Sequence, residues 1–259
     1  MTTLVDCPNG RQGDWYFRLF GIDVTVKIWF WIGVVLLAVG RELGGVITWV
    51  AVCLGSILLH EYGHVVAFRL FGEDSEIVLY LWGGMAIPRR APHGTLTRFV
   101  IALAGPAAGF CVAGLAIGTA RLSGWTVHLT WYYFLPVLAA GPVLGTAGSL
   151  GPVAQFWYTL INDLLFVNFY WGLVNLLPIY PLDGGHAARA VLEQYDPFGG
   201  RRKSLILSIA VAAAIVFIAL PQRNMYLVLM FAILGVSSAQ LLEDEPRRPL
   251  PDSDRSWRS

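Results

Sequence analysis

Long apolar runs dominate the hydrophobic pattern of this chain and recur along most of its length. Each run is close to the roughly 20 residues that a helix needs to span a membrane. Seven such segments can be marked, at residues 24–40, 46–71, 96–120, 131–148, 152–177, 204–220 and 225–242. The fourth contains Pro136 and Pro142 together with two glycines, which free backbone groups that lipid cannot satisfy. This run is therefore the weakest candidate for a spanning helix.

Positive charge alternates between successive loops, and such charge accumulates on the cytoplasmic side of a membrane. The clusters on one side consist of Arg11, Arg18, Lys27, Arg89, Arg90, Arg98, Arg201, Arg202, Lys203, Arg247 and Arg248. The intervening loops carry only Arg41, Arg121 and Arg223. This alternation is consistent only with an even number of membrane crossings and with both termini in the cytoplasm. We therefore exclude 131–148 and predict six spans.

Composition agrees with a membrane protein, since 56% of the 259 residues are hydrophobic and 14% are charged, against about 45–50% and 25% in soluble domains. The mean hydropathy is +0.60. A net charge of +1 provides no basic field for nucleic acid. Composition therefore points to the lipid bilayer as a partner, and the expected location is a bacterial cell membrane.

The predicted fold class is an all-α polytopic membrane protein with about six transmembrane helices and one short membrane-associated β-hairpin. Residues 1–23 are expected to form an N-terminal membrane-associated segment and residues 24–242 the transmembrane domain. The remainder, residues 243–259, is rich in charge and proline and is predicted to be a disordered cytoplasmic tail.

The hairpin is predicted from residues 76–87, which are β-prone around a central Gly83–Gly84 pair. An exposed strand edge there could hold a peptide as an added strand, which would make the two glycines substrate-binding residues. A purely structural hairpin at the membrane interface explains the same pattern equally well.

Residues 60–64 read His-Glu-Tyr-Gly-His and lie inside the second apolar run. On a helix, His60 and His64 fall one turn apart on the same face, so both imidazoles can bind one zinc ion. The neighbouring Glu61 can act as the general base toward water. An ionisable group at membrane depth costs about 2.5 kcal/mol or more and is functional by default. The motif therefore predicts a catalytic Zn²⁺ site, with one ion per chain.

A catalytic zinc ion usually has three protein ligands. Glu73, Asp74 and Glu76 follow the helix too far from His64, and their simplest interpretation is that of solvated loop carboxylates. Asp183 is the better candidate, because the prolines that precede it break the fifth apolar run and the following glycines allow a sharp turn. Hydropathy places His60 and Asp183 at a similar depth, toward the cytoplasmic side.

HEYGH and the string NLLPIYPLDGG, residues 175–185, together make the chain resemble the site-2 protease family of intramembrane zinc metalloproteases. The resemblance implies that His60, His64 and Asp183 bind zinc and that Glu61 is the catalytic base. It also implies that Asn175 positions the substrate or stabilises the oxyanion. The chain departs from the family pattern at Gly109, where relatives often have asparagine.

The function predicted from these motifs is a zinc-dependent endopeptidase that cleaves a transmembrane segment of another protein near the cytoplasmic face. A prenyl-protein processing protease would need a glutamate ligand on a later helix, and the spans after His64 contain none. A non-catalytic scaffold or pseudoprotease is the alternative from another class, although its expected signature, the loss of Glu61 or of a ligand, is missing.

Overall fold

The computed structural model describes residues 13–81, 83–142 and 151–245. Most of the predicted tail and the first twelve residues of the N-terminal segment therefore lie outside the described residues. In chain order the elements are β1 (Trp15–Leu19), β2 (Ile22–Val26), α1 (Ile28–Leu36), α2 (Leu43–Leu70), β3 (Ser75–Tyr80), β4 (Gly83–Pro88), α3 (Thr95–Leu122), β5 (Thr126–Tyr132), β6 (Leu135–Gly141), α4 (Pro152–Leu165), a π-helical turn (Phe166–Tyr170), α5 (Trp171–Asn175), α6 (Asp183–Tyr195), α7 (Gly200–Ala219) and α8 (Met225–Glu243).

Four of these helices, α2, α3, α7 and α8, are long and apolar enough to cross a membrane. The predicted count of six is not confirmed, and the difference lies in two runs. The first run divides into strand β2 and the nine-residue helix α1, which rises only about 14 Å at 1.5 Å per residue. The fifth run is helical throughout 152–175 but is interrupted by the π-helical turn. In the fourth run, the described residues form strands of the β5–β6 hairpin rather than a helix.

The expectation of an all-α chain is corrected by a four-stranded sheet and a separate two-stranded hairpin, β5–β6. The predicted hairpin is present as β3 and β4, paired from Ser75–Pro88 to Tyr80–Gly83. It belongs to a four-stranded sheet of order β1-β2-β3-β4, in which β2 runs parallel to β3. Hydropathy windows overlook β1 and β2 because the strand pattern of Ile22–Val26 merges with the apolar run that follows.

The sheet packs on α2 through the alternating buried side chains of its inner strands. Ile77 and Leu79 on β3 are fully buried and lie against Val24 and Val26 on β2. The same core includes Trp49 from α2, among other residues. Alternation with a period of two places these side chains on one face. This core holds the sheet against the helix that carries the HEYGH motif.

Glycines allow close backbone contacts at two places around the site. A Cβ atom on Gly63 of α2 would overlap the backbone of Ala104 on α3. A Cβ atom on Gly184 of α6 would overlap the carbonyl of Leu176, the residue after α5. Only residues without a side chain allow such close backbone approach. The first contact brings α2 and α3 together, and the second holds the start of α6 against the end of α5.

Candidate metal centre and active-site cavity

Three potential metal ligands converge where α2 meets the start of α6. The Nε2 atoms of His60 and His64 are 3.2 Å apart. Asp183 Oδ2 lies 2.9 Å from His60 Nε2, and Asp183 Oδ1 lies 3.3 Å from His64 Nε2. Their ligand atoms all fall within 4.8 Å of one another, and this is the one group of its kind among the described residues. The structure thus brings together the three residues that the sequence predicted as metal ligands.

The spacing of these atoms suits a tetrahedral ion. Ligands about 2.0–2.1 Å from a tetrahedral zinc ion are about 3.3 Å from one another, close to the 3.2 Å between the two imidazole nitrogens. His64 Nδ1 lies 2.7 Å from the carbonyl oxygen of Ile101, which can only accept a hydrogen bond. Nδ1 must therefore carry the hydrogen, which leaves the lone pair of Nε2 free for a metal.

Gly105 on α3 forms the floor beneath the two imidazoles. A Cβ atom at this position would lie 2.7 Å from His60 Nε2 and would overlap the His64 ring. The space in which the ligands converge therefore exists because residue 105 has no side chain. No pattern in α3 alone indicates this role, since the histidines lie on a different helix.

Glu61 points away from that floor and toward strand β4. Its side chain is buried, and the backbone amide of Ala86 interacts favourably with its carboxylate. A Cβ atom on Gly84 would lie 2.6 Å from both Cγ and Oε1 of Glu61. Strand β4 therefore covers the Glu61 side chain and limits the positions it can take.

The three candidate metal ligands, Glu61 and Gly84 line one cavity of about 810 Å³. Asn175, at the last residue of α5, lies in its wall, as do Gly83 and Gly84. The Asn175 side chain makes no hydrogen bond to the residues that the structure describes. The predicted site residues therefore all line this cavity, and the Asn175 side chain is available to a ligand.

Comparison with known proteins matches a region of the chain that includes the same residues. The model of peptidase family M50 matches residues 48–218, which include both histidines, Glu61 and Asp183. The chain belongs to peptidase family M50. The site-2 protease family predicted from HEYGH and NLLPIYPLDGG is thereby confirmed.

Several relatives from this family are named as zinc metalloproteases. A Synechocystis protein whose name assigns it to that class is 29% identical over 205 residues, covering 73% of this chain and 46% of its own length. A zinc metalloprotease of Methanocaldococcus jannaschii is 25% identical over 182 residues, covering 69% of this chain and 45% of that protein. The chain therefore spans about half the length of these relatives.

A solved structure supports the fold of this M50 chain. The site-2 protease from Methanocaldococcus jannaschii superposes with a TM-score of 0.57 at 20% sequence identity. The superposition covers 88% of this chain and 95% of the other. At that identity the likeness shows a shared fold.

Two buried polar residues of the cavity wall were not identified from the sequence. Asn168 Nδ2 donates to Ser56 Oγ at 2.8 Å and to the carbonyl oxygen of Leu164 at 2.9 Å. The π-helical turn places Asn168 beside Gly109. Spacing could have indicated Ser56, which precedes His60 by one helical turn.

Other potential metal ligands near the site are not part of the converging group. Glu73, Asp74 and Glu76 are not part of the converging group. His186 lines the cavity but packs against Tyr180, with ring centroids 5.1 Å apart. Asp183 is therefore the carboxylate that this family M50 chain brings to the histidines.

Proposed function

We propose that this chain is a zinc-dependent intramembrane endopeptidase that hydrolyses transmembrane segments of other proteins near the cytoplasmic face. The observation that carries the proposal is the convergence of His60, His64 and Asp183 beside a buried Glu61, inside a cavity bounded by membrane-length helices. Family membership and the names of the relatives support the same chemistry. In this proposal the termini face the cytoplasm and the membrane is a bacterial cell membrane.

His60, His64 and Asp183 would hold one zinc ion, which supplies a Lewis acid that polarises the peptide carbonyl. Glu61 takes one proton from the attacking water as oxygen bonds to the carbonyl carbon. Glu61 then delivers that proton to the nitrogen as the C–N bond breaks. Asn175 lines the cavity, its side chain makes no hydrogen bond to the described residues, and it would donate to the carbonyl oxygen.

Strand β4 would hold the substrate. It is one edge of the four-stranded sheet within the described residues, so its outer backbone groups, apart from the Ala86 amide that contacts Glu61, can pair with a further strand. A helix hides its carbonyls in internal hydrogen bonds, so a substrate must unwind before cleavage. An unwound segment added along Gly83 and Gly84 would pass directly over Glu61.

Metal analysis and cleavage of a model transmembrane segment in reconstituted membranes test the proposal. We expect about one zinc ion per purified chain and its loss in His60→Ala, His64→Ala or Asp183→Ala. Glu76→Gln, which changes an exposed glutamate on β3, is the matched control and should keep both zinc and cleavage. Full zinc in Asp183→Ala would show that a different group completes the site.

Glu61→Gln separates binding from chemistry. It keeps the size of the side chain and removes the base, so zinc should remain while kcat falls by at least about 100-fold. Cleavage is measured on two model segments. One contains a helix-weakening pair such as Asn-Pro near its cytoplasmic end, and the other is identical except that it lacks this pair. Equal cleavage of both segments would contradict intramembrane action. Zinc binding without any cleavage by the wild type would support the pseudoprotease alternative.

A further inference from the structure

Two arginines at the rim of the active-site cavity share a single carboxylate. Arg98 Nη1 lies 2.5 Å from Glu193 Oε2, and Arg189 Nε lies 2.6 Å from Glu193 Oε1. Arg98 is in the first turn of α3, whereas Arg189 and Glu193 lie on α6. The cluster therefore joins the two helices and leaves one positive charge without a counter-charge.

The surplus charge faces the cavity. Both arginines line it, and they are the only lysine or arginine residues among its described lining residues. Each guanidinium has five N–H donors, and each uses one of them on Glu193. About a third of each arginine side chain remains exposed. Free donors and net positive charge are thus available to a ligand inside the cavity.

The carboxylates deeper in the cavity have other roles in the proposed function. Asp183 lies against the two histidines and Glu61 lies under β4. A bound zinc ion would balance these two negative charges. The unbalanced positive charge in the described cavity wall therefore belongs to Arg98 and Arg189.

The arginines lie a short distance from the metal site. Ile101, whose carbonyl contacts His64, is three residues beyond Arg98 on α3, a rise of about 5 Å. Arg189 is six residues beyond Asp183 on α6, a rise of about 9 Å. An extended peptide covers about 3.3 Å per residue. The rim is therefore about two to three substrate residues from the bond to be cleaved.

We propose that Arg98 and Arg189 form a carboxylate-binding subsite that selects substrates with an acidic residue two to three positions to the cytoplasmic side of the cleaved bond. This inference rests on the proposed protease function. Charge-assisted hydrogen bonds to a carboxylate are about twice as strong as neutral ones, and guanidinium groups match carboxylate geometry. A peptide is favoured over a lipid headgroup as the source of the anion, because the arginines line the same cavity as the metal ligands.

Paired substrates test the subsite. One model segment carries Asp-Asp at those two positions, and the other carries Asn-Asn. The wild type should cleave the acidic segment with about tenfold higher kcat/KM, mainly through KM. Arg98→Gln and Arg189→Gln should each reduce the preference to about threefold or less. Arg202→Gln is the matched control, since this exposed arginine on α7 is not among the cavity-lining residues.

Glu193→Gln distinguishes recognition from a structural role, because it removes the competing carboxylate and keeps both arginines. The preference for the acidic segment should be maintained or increased. An equal loss of cleavage for both segments in all three cluster variants would overturn the proposal and leave a structural link between α3 and α6. Equal cleavage of the two segments by the wild type would also overturn it. Stimulation of cleavage by anionic lipid would overturn it as well, if that stimulation is the same for both segments and is lost in Arg189→Gln.

Binding measurements keep this inference separate from the proposed function. Fluorescence anisotropy with labelled acidic and amide peptides can be measured on the full chain carrying Glu61→Gln, with and without Arg189→Gln. Tighter binding of the acidic peptide, lost with Arg189→Gln, would support the subsite even if the wild type cleaved neither segment. Equal binding of both peptides would overturn it even if proteolysis were established.

Discussion

Replacing Gly84 by alanine should displace Glu61, the proposed general base, without removing the zinc ion. The new Cβ would lie 2.6 Å from Cγ and Oε1 of Glu61 and 2.8 Å from Cδ, where ordinary contacts begin at 3.4 Å. The shortfall is therefore about 0.8 Å. Neither side yields easily, because Glu61 is 4% exposed and Gly84 pairs with Leu79, which is completely buried. Either the carboxylate or the strand must move by most of an ångström.

A misplacement of about 1 Å costs roughly 100-fold in rate when reacting groups must be aligned. We therefore expect kcat of Gly84→Ala to fall about 100-fold while zinc content stays near one per chain. The three nearest atoms to the added Cβ all belong to Glu61 and none to a metal ligand. Gly114→Ala is the matched control, since an added Cβ on this exposed residue of α3 meets nothing within 4 Å.

A double-mutant cycle tests the steric reason directly. Glu61→Asp shortens the side chain by one methylene and relieves the overlap, at its own cost in activity. If the reasoning holds, Gly84→Ala should cost much less in the Glu61→Asp background than in the wild type. Activity of Gly84→Ala within threefold of the wild type, at full zinc content, would refute the placement of β4 against the base. Additive effects in the cycle would refute the steric explanation.

Three further predictions concern Gly105 beneath the two histidines, the pH dependence of stability, and the membrane topology. Gly105→Ala should lose most of the bound zinc, because the added methyl group enters the space between the two histidine rings, and metal analysis of the purified variant checks this. Burial opposes ionisation of Glu193, but hydrogen bonds from two arginines outweigh it and lower its pKa from 4.5. The ionised Glu193 carboxylate and its arginine partners therefore stabilise the fold fully above the unfolded-state pKa of Glu193, and this stabilisation is lost as pH falls through the lower folded-state pKa. The difference in unfolding free energy between wild type and Glu193→Gln should therefore shrink below pH 4.5. Cysteine labelling should place positions Arg90 and Arg202 on the cytoplasmic side and Arg121 on the opposite side, and labelling of Arg90 and Arg202 from opposite sides would contradict the charge alternation.

Predictions that depend on local geometry agree with the structure. The helical position of His60 and His64 follows from their spacing, because residues four apart share a face of any helix. The β3–β4 hairpin was predicted from β-prone residues around a central glycine pair. The hairpin is present, but both glycines lie in β4, where they pair with Tyr80 and Leu79, rather than at its centre. The break before Asp183 follows from Pro178 and Pro181, which cannot continue a helix.

Predictions that depend on counting hydrophobic runs succeed only in part. The run that begins at residue 24 has the hydropathy of a span, yet its start pairs with β3 some fifty residues later in the chain. Hydropathy windows measure composition, whereas parallel strand pairing requires a distant partner. The same limitation hides the β5–β6 hairpin inside a run that was identified only as an unsuitable helix.

The sequence by itself determined the chemistry of the site: two imidazoles and a carboxylate with metal-ligand character, a glutamate beside them, and an asparagine near the second motif. These depend on residue type and short-range spacing, which the primary structure carries directly. Only the tertiary structure decided what surrounds that chemistry. Gly84 lies over Glu61, Gly105 lies beneath the histidines, and Arg98 of α3 meets Glu193 of α6. Each of these contacts joins elements that are far apart in the chain, and their proximity results from the packing of helices and sheet rather than from any local pattern.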